Sequence, residues 1–462
     1  MKSQNKVAFF NFLSVVLLRG ISLFSAPIFS RMLGTGGYGL VSIYTVWVSA
    51  VAIVFTMQVQ GTLPTAKIEF PEDRQNAYHS SILTLAFLVF AGCSALVMLF
   101  LNPVSRLLGI PRLLVPLILL QAFCNFCIQF MNQKFVYEYR ADLNCLTSVA
   151  VAVLTLLLSI LFIWLMPEGQ GYYGRIFGMA VTYLLIGSIA FVYVLRKGKT
   201  FYNREFWKFC IPLALPFVFY NLSDLILGQS DRVMLKEMLG NESLGIYSMA
   251  YNLGNVMFII FGALNTSWCP FFFDDMKMGR TEKVRAQGRN FLELYTVLSM
   301  GFVLLSREVF HVFAGRDFWD GTGCIPVFVT GYYFNFLCTF PINYEYYHKK
   351  TRAVAAVTIG ASLFNILLNY VLILKIGILG AAIATTLSHG LQYTLHYLYG
   401  RVHLGGRAYP FSDGAWIKWS LAFLGILILT YVSGGLWWLR WAVGAALGLW
   451  ELLRLKKRKS IF

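Results

Sequence analysis

The few residues of this chain that could do chemistry lie inside long apolar runs. Arg19 stands twelve residues into the first run, 7–30. At 1.5 Å per residue that is about 18 Å along a helix. A guanidinium at such depth costs roughly 2.5–3.5 kcal/mol on insertion scales unless it faces protein or water. In the seventh run Asp224 shares a helical face with Tyr220, Asn221, Gly228 and Asp231, and Arg232 follows directly. In the eighth, Ser248, Asn252, Asn255, Gly262 and Thr266 recur at helical spacing as a small, polar stripe. Such groups form the wall of a polar cavity, or they hold helices together where lipid offers no partner. Arg19, Asp224, Asn221, Asn252 and Asn255 are therefore the candidate substrate-binding residues. Asp231 and Arg232 form a candidate gate motif, and no residue has a catalytic or metal-binding assignment.

Other motifs fall away on context. Gly34-x-Gly36-x-x-Gly39 has the spacing of a dinucleotide fingerprint, but an apolar helix precedes it where a strand is required, so it reads as a helix end and a tight turn. Gly198-Lys-Thr200 lacks the first glycine of a P-loop, because position 193 is Tyr193. Cys124 and Cys127 form a lone C-x-x-C within an apolar run and read as small packing residues. His311, His389 and His396 lie near helix ends or in apolar runs; His389 could bind a proton or ligand, but interhelical hydrogen bonding fits it better. No cofactor is implied.

The elements that must position these residues follow from composition. The 462 residues are 58% hydrophobic and 13% charged, against about 25% charged in a soluble domain. Fourteen apolar runs of spanning length lie at about 7–30, 39–62, 79–101, 113–133, 143–166, 174–195, 209–230, 244–268, 290–313, 325–344, 353–374, 378–399, 416–434 and 436–453. In lipid only helices satisfy every backbone group within each segment, so the expected fold is an all-α polytopic membrane protein. The net charge of +17 sits in short gaps between runs, which points to an anionic lipid leaflet and not to nucleic acid. With the N terminus inside, 27 of the 38 Lys and Arg residues face inward, ten face outward and Arg19 alone is intramembrane. That asymmetry places both termini in the cytoplasm. No gap has room for a folded extramembrane domain.

The chain also repeats. Met32-Leu-Gly34-x4-Gly39-x2-Ser42 returns as Met238-Leu-Gly240-x4-Gly245-x2-Ser248, at an offset of 206. This implies two six-helix lobes, residues 1–200 and 201–400, followed by a two-helix hairpin and basic tail over 401–462. Repeated halves suit transporters that move one bundle against another. Pro212 and Pro216, one turn apart in the seventh run, permit a bend there.

The run Ser230-Asp-Arg232-Val-Met-Leu, with Leu239-Gly240 and Leu244-Gly245-Ile-Tyr247-Ser-Met-Ala250, resembles the polysaccharide transporter family. Pro27-Ile-Phe-Ser-Arg31-Met-Leu-Gly34 with Tyr38-Gly39 is similar to that family's first hairpin. The family includes O-antigen and capsule repeat-unit flippases, and shares its superfamily with multidrug exporters and lipid II flippases. The resemblance implies two lobes around a central cavity, in a bacterial plasma membrane. It also implies transfer of a polyprenyl-pyrophosphate-linked oligosaccharide from the inner to the outer leaflet. Coupling to an ion gradient, and polymerase or glycosyltransferase partners, are implied with it. A multidrug exporter or a lipid II flippase is the alternative, and a membrane enzyme would need a longer outward loop than any present.

Overall fold

The computed structural model describes residues 2–138, 140–405, 409–411 and 414–457; the side chains of 2–20, 22–24, 224, 227, 266, 267, 351, 405, 455 and 457 lie outside the description. All regular structure among the described residues is helical. Three helices contain two passes each. Helix α1 (Lys2–Phe55) breaks at Gly34, where φ 65° and ψ −179° are open essentially only to glycine. After α2 (Leu63–Glu69), α3 (Glu72–Leu99), α4 (Leu101–Leu108), α5 (Leu114–Tyr137), α6 (Ala141–Leu165) and α7 (Gly171–Gly198), helix α8 (Arg204–Lys277) breaks at Gly240, with φ 84° and ψ −179°. Beyond α9 (Thr281–Phe313) and α10 (Cys324–Tyr347), α11 (Thr351–Tyr399) turns at Ile376 and Gly377. Helices α12 (Gly414–Val432) and α13 (Trp437–Lys457) close the chain. Eleven stretches are long and apolar enough to cross a membrane. Divided at these three breaks, the long helices number fourteen, as the hydropathy predicts.

The offset of 206 carries through the architecture. It maps α3 onto α9, α5 onto α10, and the pair α6 and α7 onto the two arms of α11. Of the spanning windows, those of α5 and α10 are the most enclosed, 67% and 72% buried, so equivalent helices form the centre of each repeat.

One expected boundary moves. The second pass was expected to run to residue 62, but α1 ends at Phe55. Met57 (φ 54°) and Gln58 (φ 51°) then adopt left-handed backbone before a short 3-10 turn, Val59–Thr62. Two adjacent non-glycine residues there cost roughly 1–2 kcal/mol each. Neither left-handed residue is a glycine; Gly61 and Pro64 follow, in the turn and at the start of α2.

Packing divides the chain into two compact units, Met1–Gly245 and Ile246–Phe462. In the first, the start of α8 docks on one end of α3. Trp207 Nε1 donates to the Ser81 carbonyl (3.1 Å), Arg74 pairs with Glu205 (2.5 Å), and Phe206, Cys210 and Ala214 enter a core with Val59, Tyr78 and Phe130. In the second, Trp268, Phe291, Phe340, Phe411 and Trp416 form a continuous aromatic core. Ion pairs of Arg440 with Glu308 and of Arg454 with Glu293 pin α13 to α9.

Candidate functional site

The two repeat hairpins meet within the first unit, and glycine makes the meeting possible. A Cβ added at Gly39 would overlap the Asn241 carbonyl, with its carbon at 2.9 Å, and would lie 2.9 Å from the Gly245 nitrogen. A Cβ at Gly245 would overlap the Thr35 carbonyl, with its carbon at 2.8 Å, and would lie 3.1 Å from the Gly39 nitrogen. Residue 35 is the repeat mate of 241, and 39 of 245. Each glycine therefore opposes the other's neighbour, as a local two-fold axis requires. Beside this crossing Lys236 donates to the Leu108 carbonyl at 3.1 Å, and to that of Gly109.

The sequence candidates are distributed around this frame. Arg19 lies on the first arm of α1 and Asp224 on the first arm of α8, and both side chains fall outside the described residues. Asn221 is half-buried and turns its Nδ2 back to the Phe217 carbonyl (2.8 Å). Asp231 and Arg232 are buried, and an Asp231 carboxylate oxygen accepts the Arg232 backbone N–H at 2.8 Å. In the second unit Asn252 is exposed and Asn255 half-buried, while Ser248 of the same stripe is buried. Gly254, between them, packs its face on Phe328 of α10 (2.8 Å for an added Cβ), so Asn252 points away from that contact.

Two other arginines lie within helices of the bundle. Arg175 lies one turn into α7 and Arg440 in α13, although counting charges by loop assigned both to the outer surface. The Arg175 guanidinium stacks 3.8 Å above the Phe29 ring, and its Nη1 donates to Ser159 Oγ (2.7 Å) and the Thr155 carbonyl (3.4 Å). It borders a cavity of about 220 Å³ that Ser25, Phe29, Ser148, Thr155 and Tyr183 also line.

Two further polar clusters were missed. Lys134, 1% exposed, donates to Asn76 Oδ1 (2.7 Å) and Glu138 Oε1 (2.6 Å) and lies 3.1 Å from His79 Nδ1. Burial pushes the Glu138 carboxyl up, but the Lys134 hydrogen bond and the charges of Lys134 and Lys197 outweigh it and hold the group below its ordinary range. In the second unit Glu345 and His396 are both wholly buried and meet at 2.8 Å. Of these groups the sequence singled out only His396, as a residue in an apolar run; its partner Glu345 and the cluster around Lys134 are revealed by helix packing. Among the described residues no group of three or more His, Cys, Asp or Glu side chains gathers as a metal site. Cys124 instead packs against Gly187.

The second unit also holds an apolar cleft of about 430 Å³, lined by Met257 and Ile260 of α8, Leu298 and Phe302 of α9, and Gly444 and Leu447 of α13, with Glu451 at one end.

Among the described residues, twelve long helices in two repeats followed by the pair α12 and α13, with glycine crossings and buried charge, define a multi-pass membrane protein with a transporter-like fold. The structure is similar to "Lipid II flippase MurJ, inward closed conformation" (TM-score 0.74, 15% identity, 98% of this chain and 99% of that one). It is also similar to an inward-facing multidrug resistance MATE family transporter of the MOP superfamily (TM-score 0.67, 13% identity, 83% and 94%). An "Uncharacterized membrane protein" of Haemophilus influenzae is 22% identical over 138 residues, 29% of this chain, and the match spans 34% of that relative's length. Residues 5–276 match the family described as "Polysaccharide biosynthesis protein", and the chain belongs to that family.

Proposed function

We propose that the protein is a flippase that carries polyprenyl-pyrophosphate-linked oligosaccharide repeat units from the inner to the outer leaflet of a bacterial plasma membrane. The observation that carries this reading is the family match over residues 5–276. The geometry supports it in two respects. A pyrophosphate needs cationic donors inside the bundle, and Arg175 lines a cavity there. A polyprenyl chain needs apolar surface, and the cleft between α8, α9 and α13 offers it. In this reading both termini are cytoplasmic, and residues 1–200 and 201–400 are the moving lobes. Arg19 holds the pyrophosphate, Asp224 takes Arg19 or a proton when substrate is absent, and Asn221, Asn252 and Asn255 meet the sugars. An ion gradient drives the cycle, and glycosyltransferases and a polymerase act before and after it.

The test is deletion of the gene followed by leaflet assignment of the lipid-linked oligosaccharide with a membrane-impermeant glycosidase. The expected result is accumulation in the inner leaflet, reversed by the wild-type chain. Unchanged outer-leaflet delivery overturns the reading. A second reading, lipid II transfer, is favoured by likeness over 98% of the chain to a lipid II flippase structure. Rescue of cells depleted of their lipid II flippase would establish it instead.

A further inference from the structure

Arg175 is placed as a binding group and not as a structural cation. It lies one turn inside α7, so its charge is costly unless something compensates it. Among the described residues no carboxylate pairs with it. Its protein partners are a hydroxyl, a backbone carbonyl and the face of Phe29. Ser159 and Thr155 engage only Nη1, while a guanidinium has five N–H donors in a planar fork. The Phe29 ring fixes the plane of that fork, which is the preorganisation that bidentate oxyanion binding requires. The cavity it borders, about 220 Å³, is far larger than the ~10–15 Å³ that one water needs. Ser25, Ser148, Thr155 and Tyr183 line it from α1, α6 and α7, beside the apolar Ile21, Val151 and Leu156. The site is also peculiar to the first repeat, because the position 206 residues on is Ala381, wholly buried.

We propose that Arg175, with Ser25, Ser148, Thr155 and Tyr183 around the Phe29 platform, is an oxyanion-binding site for a phosphate-type group. In the flippase reading, on which this identification of the ligand rests, that group is the pyrophosphate of the lipid-linked substrate. Phosphate oxygens accept from the two remaining edges of the guanidinium and from the hydroxyls, and the ligand's negative charge supplies a counter-ion that no described carboxylate provides.

The full chain, purified in detergent, is titrated with inorganic pyrophosphate while its thermal unfolding is followed, with sodium chloride at matched ionic strength as control. The wild type should show a saturable rise in Tm. Arg175→Gln should remove that rise, and Arg175→Lys should weaken apparent affinity roughly tenfold, because the charge persists but the fork is lost. If Arg175→Gln fails to fold, Ser148→Ala and Tyr183→Phe keep the test open, each being expected to weaken affinity several-fold at unchanged basal Tm. Equal pyrophosphate-dependent shifts in wild type and all these variants overturn the site. So does the absence of any saturable shift in the wild type. Loss of Arg175-dependent binding by a polyprenyl pyrophosphate, with inorganic pyrophosphate still bound, overturns the substrate assignment and leaves a site for free anions. The flippase reading fails on a different measurement, leaflet delivery in the deletion strain.

Discussion

The glycine crossing should respond to a single methyl group. In Gly39→Ala the new Cβ faces the Asn241 carbonyl carbon at 2.9 Å and the Gly245 nitrogen at 2.9 Å, both backbone atoms that no rotamer change can move. The Asn241 carbonyl oxygen lies closer still and overlaps the new Cβ, so one backbone must retreat by more than about 1 Å to reach van der Waals separation. Overpacking of this kind costs about 1–3 kcal/mol. Gly245→Ala meets the Thr35 carbonyl in the same way and should cost a similar amount. Both methyls open one crossing, so the double variant should lose less than the sum of the singles. Gly92→Ala is the control: nothing lies within 4 Å of its added Cβ, and within α3 alanine should be neutral or favourable by up to about 1 kcal/mol. The assay is thermal unfolding of purified protein, with a disulfide between cysteines introduced at Gly36 and Glu242, where a Cβ added at Gly36 lies 3.7 Å from the Glu242 side chain, as a proximity readout. Gly39→Ala should lower Tm and slow cross-linking. A Gly39→Ala protein as stable as Gly92→Ala, with unchanged cross-linking, refutes the close approach of the two hairpins.

Three further outcomes are expected. Replacing Glu345 by Leu leaves His396 buried without its partner and should cost about 1–3 kcal/mol; Glu345→Gln keeps an acceptor at the same place and should cost less in the same unfolding assay. Glu138, whose carboxyl is held below its ordinary range, contributes stability that is fully present above the unfolded value near 4.3 and lost as pH falls through the lower folded value. The Tm gap between wild type and Glu138→Gln should thus be constant at neutral pH and close below about pH 4.3, and a gap independent of pH contradicts the pairing. Finally, reporter fusions at Arg204 and Arg285 should read as cytoplasmic and one at Phe318 as external; a cytoplasmic signal at Phe318 refutes the orientation.

Much of the fold was legible because two signals are strong in the sequence. Apolar length marks each helix where lipid is the solvent. The recurrence of Gly34 and Gly39 at Gly240 and Gly245 marks the repeat, and Gly34 and Gly240 indeed share one rare backbone conformation. The turn at Ile376 and Gly377 was legible for the same reason. The break at Met57 and Gln58 was not, because its residues carry no turn propensity and only tertiary packing holds them in left-handed backbone. Nor was Lys134 legible as a buried group. A lysine near the end of an apolar run reads as a loop charge, whereas here α5 extends to Tyr137 and encloses it between Asn76, His79 and Glu138.

Arg175 shows the same limit and what can be learned from it. A charge one turn inside a helix is counted as a surface charge by any rule that reads only distance along the chain, yet its neighbours on α1 and α6 lie more than a hundred and about twenty residues away, respectively. The repeat supplies the missing criterion. Features that the common frame requires occur twice, as the glycine hairpins and the central helices α5 and α10 do. These three polar groups do not occur twice: Ala381 stands opposite Arg175, Phe340 opposite Lys134, and Ala190 opposite His396. Each costs free energy to bury, and the other half builds the same backbone without it. The shared architecture therefore does not explain these groups. Their explanation belongs to what distinguishes the halves, which makes them sharper targets for mutation than residues chosen for polarity alone.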